Sequence, residues 1–245
     1  MKVLIGCCGF PVSLPRYARE LSLVEVQKTF YRMPQRDTLR RWRDQVPPDF
    51  VFTLKVPQLI THPPSSPTYR KARLQIPPEF HHRYGFFRPT DEVFQAWEQT
   101  LQAAEILRSP VLVFQTPARF SETPEHVDHL YAFFSRIPRE GHTLAWEPRG
   151  TWHRETLRRI FQDLQLVHVV DPFKDQTLTP GFVYYRLHGR GQGYRYSYSD
   201  EELRELRRLL PATAGEAYIL FNNTNMYQNA LRFQALWQET LANKE

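Results

Sequence analysis

The chain has 245 residues, 32 Lys+Arg against 26 Asp+Glu, a formal net charge of +6, and 41% hydrophobic and 24% charged residues. That is the make-up of a folded globular protein large enough to bury a sizeable core without disulfides or structural metal. No apolar run approaches the ~18 residues of a membrane helix, mean hydropathy is −0.54, and the first apolar run, Val3-Leu4-Ile5, is too short for a signal-peptide core. A membrane protein, a secreted disulfide scaffold and a disordered tail are excluded, and no membrane partner is expected.

The chain reads in order as short β-rich runs alternating with amphipathic helical patterns. Strands are expected at Val3–Cys8, Val24–Tyr31, Phe50–Pro57, Val111–Thr116, Thr143–Arg149, Val167–Asp171, Phe182–Arg190 and Ala217–Asn223. The only cysteines, Cys7 and Cys8, are adjacent on the first of these. Neighbours on a strand point to opposite faces, so a disulfide between them would be strained. Reduced thiols point to a cytoplasmic location, and small buried residues are expected here rather than a catalytic thiol. Between strands, Phe94, Trp97, Leu101 and Ala104 form one helical face, and Leu157, Ile160, Phe161 and Leu164 form another. Thr123-Pro124-Glu125 reads as an N-cap with Pro at the first helical position, and Ser199 with Glu202 as a capping box.

Alternating βα units imply a parallel sheet, and eight of them in this length fit a single α/β domain over 1–245, a closed (β/α)8 TIM barrel. A doubly wound open sheet is the alternative, weakened by the absence of a Gly-x-Gly-x-x-Gly turn after the first strand. Two connections are irregular. Residues 172–180 are too short for a regular crossover, and Pro172 and Pro180 oppose a helix there, so none is expected between strands 6 and 7. Residues 58–90, after strand 3, form a long, Pro-rich, basic βα loop containing His62, Arg70, Lys71, Arg73, Arg83 and Arg88. Leu74, Ile76, Phe80, Phe86 and Phe87 give it packing groups, and it is read as a lid.

Several strands turn polar at their C-terminal ends. The second presents Glu25, Gln27, Thr29 and Tyr31 on one parity, the third Thr53 and Lys55, and the fourth ends at Gln115. The fifth carries Glu147 and Arg149, Asp171 ends the sixth, the seventh has Arg186, His188 and Arg190 at period two, and the eighth ends Asn222-Asn223. Period two aims such groups at a barrel axis. Buried unpaired they would cost several kcal/mol each, so they are expected to pair with one another, as Glu147–Arg149 and Asp171–Arg186, or with a ligand.

The expected activity is that of an enzyme of the hydrolase or isomerase/lyase kind, acting on a phosphate- or carboxylate-bearing small molecule by acid/base chemistry. Glu147 is the expected base, His188 its proton-transfer partner, and Asp171 the group that orients His188. Lys55, Arg149 and Arg186 form an anion clamp. Arg190, Gln115, Tyr31, Trp152 and Tyr194 are further substrate contacts, and Asn222 and Asn223 hold hydroxyls or amides. Tyr194, Tyr196 and Tyr198 alternate with Arg195 and Ser197 in a pattern suited to stacking on sugars or bases. No cofactor is expected. A divalent metal would fall to Glu147, Asp171 and His188, with His62 as a further candidate, but there is no His-x-His pair and the neighbouring cations would repel it. Two alternatives use the same residues: a nucleic-acid processing or binding protein working through the basic 58–90 loop and the tyrosines, and a ligand-binding protein without turnover.

The strand-end motifs also carry a family resemblance. Ile5-Gly6-Cys7-Cys8-Gly9-Phe10, Val24-Glu25-Val26, Thr29-Phe30-Tyr31-Arg32, Phe52-Thr53-Leu54-Lys55-Val56-Pro57 and Ile60-Thr61-His62 are the first of them. Phe114-Gln115-Thr116-Pro117, Trp146-Glu147-Pro148-Arg149, Tyr185-Arg186-Leu187-His188-Gly189-Arg190 and Phe221-Asn222-Asn223 complete the set. Together they resemble the domain of unknown function 72 family of bacterial and archaeal proteins over nearly the whole chain. The resemblance implies a TIM barrel with a polar pocket at its mouth and no generally established activity. Cys7-Cys8 stands where a Thr-Ser-like pair is usual, Phe10 where Trp is usual, and Gln27-Lys28 where Asn-Ser is common. The implied fold also resembles the barrels of xylose isomerases and apurinic endonucleases, an analogy of fold alone.

Overall fold

In a computed structural model of the protein, which describes residues 1–191 and 194–242, the strands run in sequence order around a closed parallel barrel. They are β1 (Lys2–Cys8), β2 (Leu23–Val26), β3 (Val51–Lys55), β4 (Val111–Gln115), β5 (Thr143–Glu147), β6 (Val167–Val170), β7 (Phe182–Leu187) and β8 (Glu216–Phe221). The helices are α1 (Leu14–Tyr17), α2 (Lys28–Tyr31), α3 (Arg36–Asp44), α4 (Gln58–Thr61), α5 (Pro67–Lys71), α6 (Asp91–Leu107), α7 (Pro124–Arg136), α8 (Arg154–Asp163), α9 (Asp200–Arg208) and α10 (Met226–Ala242). Residues 192–193 and 243–245 of the expected domain lie outside the described residues. Contacts group the chain into two compact units. One comprises Met1–Val26, Asp44–Phe52 and Val167–Glu245, the other Gln27–Arg43 and Thr53–Leu166.

In the first unit β1 is central. It pairs with β2 through Gly6↔Leu23 to Cys8↔Glu25 and with β8 from Lys2↔Glu216 to Cys7↔Phe221. A Cβ on Gly6 would lie 1.9 Å from the Leu23 carbonyl oxygen, so no other residue fits that pairing. Tyr17, fully buried, stitches the two strands: its hydroxyl accepts from Cys7 N at 2.8 Å and donates to Leu23 O at 2.7 Å. β7 runs beside β8 from Phe182↔Glu216 to Leu187↔Phe221. The expected capping box opens α9, with Ser199 and Glu202 bonded reciprocally. No helix is assigned over residues 171–181.

In the second unit β4 lies between β3 and β5, and Gln115 stands in register with Glu147. Its core is aromatic. Phe87, Phe114, Phe120, Phe133 and Trp146 are fully buried, and Phe87 lies within 5.3–5.7 Å of the ring centres of Phe114, Phe120, Phe133 and Phe134. Burying such a ring contributes about 1.5–3 kcal/mol. Phe87 belongs to the long 58–90 connection, so this segment is anchored in the core at its far end. Along its length it forms α4, α5 and a 3-10 helix, Pro78–Arg83. Thr123 caps α7 as its sequence predicts, accepting from His126 N with Pro124 at the first position. The buried faces of α6 and α8 include Trp97, Leu101 and Ala104, and Leu157, Ile160 and Phe161.

The largest departure from the sequence reading is at the second strand. It stops at Val26, and the expected strand residues beyond it form the helical turn α2, with Phe30 N bonded to Gln27 O at 3.2 Å and Arg32 N to Lys28 O at 3.0 Å. Gln27, Thr29 and Tyr31 therefore do not share a strand face with Glu25. The β-forming composition of the run is overridden by tertiary contacts: the Thr29 hydroxyl donates to Lys55 O at 2.6 Å, and Phe30 is buried. Strand ends were also overextended. β5 ends before Pro148, which has no N–H for a ladder. β7 ends at Leu187, just before Gly189 turns the chain at φ 91°. β3 ends at Lys55 and β8 at Phe221.

Candidate functional site

In the second unit the polar groups follow strand ends closely. Lys55 closes β3, 7% exposed, and its ammonium donates to Gln115 Oε1 at 2.8 Å. It also sits 3.9 Å above the Phe30 ring, a cation–π contact made possible by the α2 turn. Gln115 is the in-register neighbour of Glu147, and residues paired this way project to one face. Glu147, 6% exposed, receives Arg149 Nε and Nη2, both at 2.8 Å to Oε1. The expected Glu147–Arg149 ion pair is thus present, with Arg149 placed by the Pro148 bend rather than by a strand.

His62 joins this row. It follows α4, is buried, packs edge-on against Phe30 at 4.9 Å, and shares a 2.8 Å hydrogen bond between Nδ1 and the Thr61 hydroxyl. Burial, then the positive charges of Lys55 and Arg149, push its pKa down to about 3, so the ring is neutral at physiological pH. Beside it Gln58 is fully buried. Its amide nitrogen reaches Tyr31 O at 3.4 Å, while its Oε1 has no partner among the described residues. The sequence reading places His62 among the loop's basic residues, in a family motif and as a further metal-ligand candidate, and passes over Gln58. Their place immediately after a strand end was the available signal.

In the first unit a second polar set lies at the ends of β6, β7 and β8. Asp171 accepts from His188 N at 3.1 Å and Phe173 N at 3.2 Å, and lies 3.6 Å from His188 Nδ1 and 3.7 Å from Lys174. Both Asp171 and His188 are buried. Lower in β7, Arg186 is paired with Glu25 at 3.0 Å, both side chains fully buried, and Tyr184 donates to the other Glu25 oxygen at 2.8 Å. Arg186 thus has Glu25 as an ion-pair partner, one the sequence reading did not assign. The Cys8 thiol also meets Arg186, but burial and then Glu25 drive its pKa far up, and burial pushes Cys7 to about 12. Both cysteines are free, buried and protonated, which does not suit a nucleophile.

The remaining expected contacts are dispersed. Arg190 is exposed in the loop after β7, bonded to Glu205 of α9 at 2.6 Å and stacked 4.7 Å from Phe173. Tyr31 carries Lys71 on its hydroxyl at 3.1 Å. The Trp152 indole donates to Phe120 O at 2.9 Å and packs against Trp146. Tyr194 is 51% exposed, with its ring edge toward His188 at 5.9 Å. Tyr198 is buried, stacks on Phe173 and accepts from Gly189 N at 2.8 Å. Asn223 donates to Tyr196 O and Asn229 Oδ1, fastening that loop to the start of α10, whereas the Asn222 backbone bonds Leu187 O. Among the described residues no three His, Cys, Asp or Glu side chains are grouped to hold a metal ion.

A parallel (β/α)8 barrel with acidic, basic and imidazole groups at its strand ends is the class that fold and side chains define. Within it, the chain belongs to the family described as "Protein of unknown function DUF72", which matches residues 10–245. The UPF0759 protein YecE of Escherichia coli K12 is 42% identical over 50 residues, 20% of this chain and 18% of that relative, so the match spans under a fifth of the relative's length. The crystal structure of the DUF72 family protein EF0366 from Enterococcus faecalis V583 is similar at TM-score 0.72 and 21% identity, covering 97% of this chain and 98% of that one. More distantly, D-psicose 3-epimerase crystallised in the presence of D-fructose gives TM-score 0.57 and 12% identity over 97% of this chain and 98% of that one. At these identities the structural likeness is one of fold.

Proposed function

We propose that this protein is an enzyme that binds a phosphate- or carboxylate-bearing small molecule at the ends of β3, β4 and β5 and transforms it by acid/base chemistry. The observation that carries the reading is the row Lys55–Gln115–Glu147–Arg149, buried at Lys55 and Glu147 and open to solvent at Arg149, beside a neutral imidazole. Ammonium and guanidinium groups of this kind suit an oxyanion. Lys55 and Arg149 serve as its clamp, Gln115 as a polar contact, and Glu147 as the base. Catalytic groups of barrel enzymes come from strand C-terminal ends, where Lys55, Gln115 and Glu147 stand and just past which Arg149 lies. In its own unit, the Asp171–His188 pair is a second group suited to moving a proton, with Asp171 holding the His188 backbone in place.

A thermal-shift screen with sugar phosphates and sugar acids tests the reading. A ligand at ~100 times its Kd adds about 2.7 kcal/mol, a rise of several degrees for a chain of this size. Lys55→Met should abolish that rise. Once a substrate is found, Glu147→Gln should lower kcat by about 10²–10⁴. Full turnover by Glu147→Gln would remove Glu147 from the base role, and stabilisation without turnover would leave a ligand-binding protein.

A further inference from the structure

We propose that His62 contacts the bound anion directly, and that an oxyanion held by Lys55 and Arg149 draws a proton from solvent onto the His62 ring as it binds. This rests on the anion site proposed above and adds to it a contact and a coupling.

The geometry of His62 is unusual for a core histidine. One ring nitrogen is committed: Nδ1 bonds the Thr61 hydroxyl at 2.8 Å. The other, Nε2, has no hydrogen-bond partner among the described residues although the residue is only 4% exposed. Unlike Gln58 Oε1, Nε2 is not sealed from solvent.

The residue is also held in place. Its carbonyl accepts the Tyr69 hydroxyl at 3.0 Å, and Gly85 approaches so closely that a Cβ there would lie 2.4 Å from the His62 carbonyl. Such anchoring fixes a side chain that must meet a ligand in one orientation.

The groups acting on the ring are few. Lys55 of β3 and Arg149 beyond β5 are the cations that oppose its protonation. Phe30 of α2 and Thr61 of α4 are its neutral neighbours. An anion between the two cations cancels the repulsion that keeps the ring neutral, and so favours imidazolium. Thr61 accommodates both states, because its hydroxyl can donate to a bare Nδ1 or accept from Nδ1–H. In either state Nε2 can carry its hydrogen toward an anion oxygen. Anion binding and proton uptake are then linked, each strengthening the other.

The test uses the 245-residue chain with 15N-labelled histidine and inorganic sulfate as probe, because sulfate stays a dianion across about pH 5 to 8, the range in which histidine ordinarily titrates. His62→Gln identifies the resonance. Without sulfate the ring should stay neutral throughout. With saturating sulfate its midpoint should rise by at least about two units, into that range, with sulfate bound about a hundredfold more tightly by the protonated form, and its Nε2 shift should move. Two results overturn the inference in distinguishable ways. If sulfate binds in a manner weakened by Lys55→Met and Arg149→Met but the His62 shift and midpoint stay put, His62 is not a ligand contact and the anion site survives. If sulfate does not bind, or binds equally well to both variants, the anion site itself fails and this inference with it.

Discussion

Glu25 and Arg186 show how much depends on a single pair of side chains. Both are fully buried, 3.0 Å apart, with the Tyr184 hydroxyl on the carboxylate. Removing one partner leaves a desolvated charge, which costs about 3–5 kcal/mol, whereas replacing both with apolar residues is often neutral. Glu25→Leu should therefore lower the guanidinium midpoint sharply, and adding Arg186→Met should recover most of the loss. A cost below about 1 kcal/mol for the single change would show that water reaches the pair. His62 makes the second prediction at this scale. Its folded pKa of about 3 lies below the ~6.5 of an unfolded histidine. Between those values the unfolded state binds more protons, so stability rises with pH. The contribution is complete above about pH 6.5 and is lost as pH falls toward about 3, at up to about 1.4 kcal/mol per pH unit. Denaturation of His62→Gln across this window should show a shallower slope than the parent; an identical slope would mean that the ring is solvated.

At the level of elements, the connection after β3 is where conformation is most constrained. Gly85 has φ +77°, donates to Leu59 O at 2.8 Å, and touches the His62 backbone. Gly85→Ala is expected to cost more than about 1 kcal/mol, because both the φ value and the space are unsuitable. It should also shift the His62 ring signals; unchanged signals would separate the two residues. The capping box of α9 was readable in the sequence because its two bonds are local, Ser199 to Glu202 N and back. Ser199→Ala should cost about 1 kcal/mol, measured by the thermal midpoint. α2 was not readable. Thr29, Phe30 and Tyr31 have strand-forming side chains, and what makes them a turn is Phe30 under the Lys55 ammonium, a contact between residues far apart in the chain.

For the molecule as a whole, the basic character noted in the sequence is partly consumed internally. Within the 58–90 segment Arg83 pairs with Glu92 at 2.9 Å, Arg88 donates to Tyr84 O at 2.8 Å, and Lys71 sits on Tyr31. No helix is long and apolar enough to cross a membrane among the described residues. DNA and RNA oligonucleotides are expected to bind no more tightly than the ~10⁻⁴–10⁻⁶ M of non-specific association at physiological salt. Fluorescence anisotropy across a salt series checks this. Nanomolar binding with a steep salt slope would instead assign the protein to nucleic acids.

The amino-acid order by itself determined the barrel, because helical period, strand runs and caps are local signals repeated along the chain, and one pattern accounts for all of them. It also determined that Lys55, Gln115, Glu147, Asp171 and His188 stand at strand ends. Tertiary structure alone decided the partners: Arg186 with Glu25, Lys55 over Phe30, and His62 beside two cations. These are pairings across long loops, and a residue's charge and spacing do not say which distant group will desolvate with it.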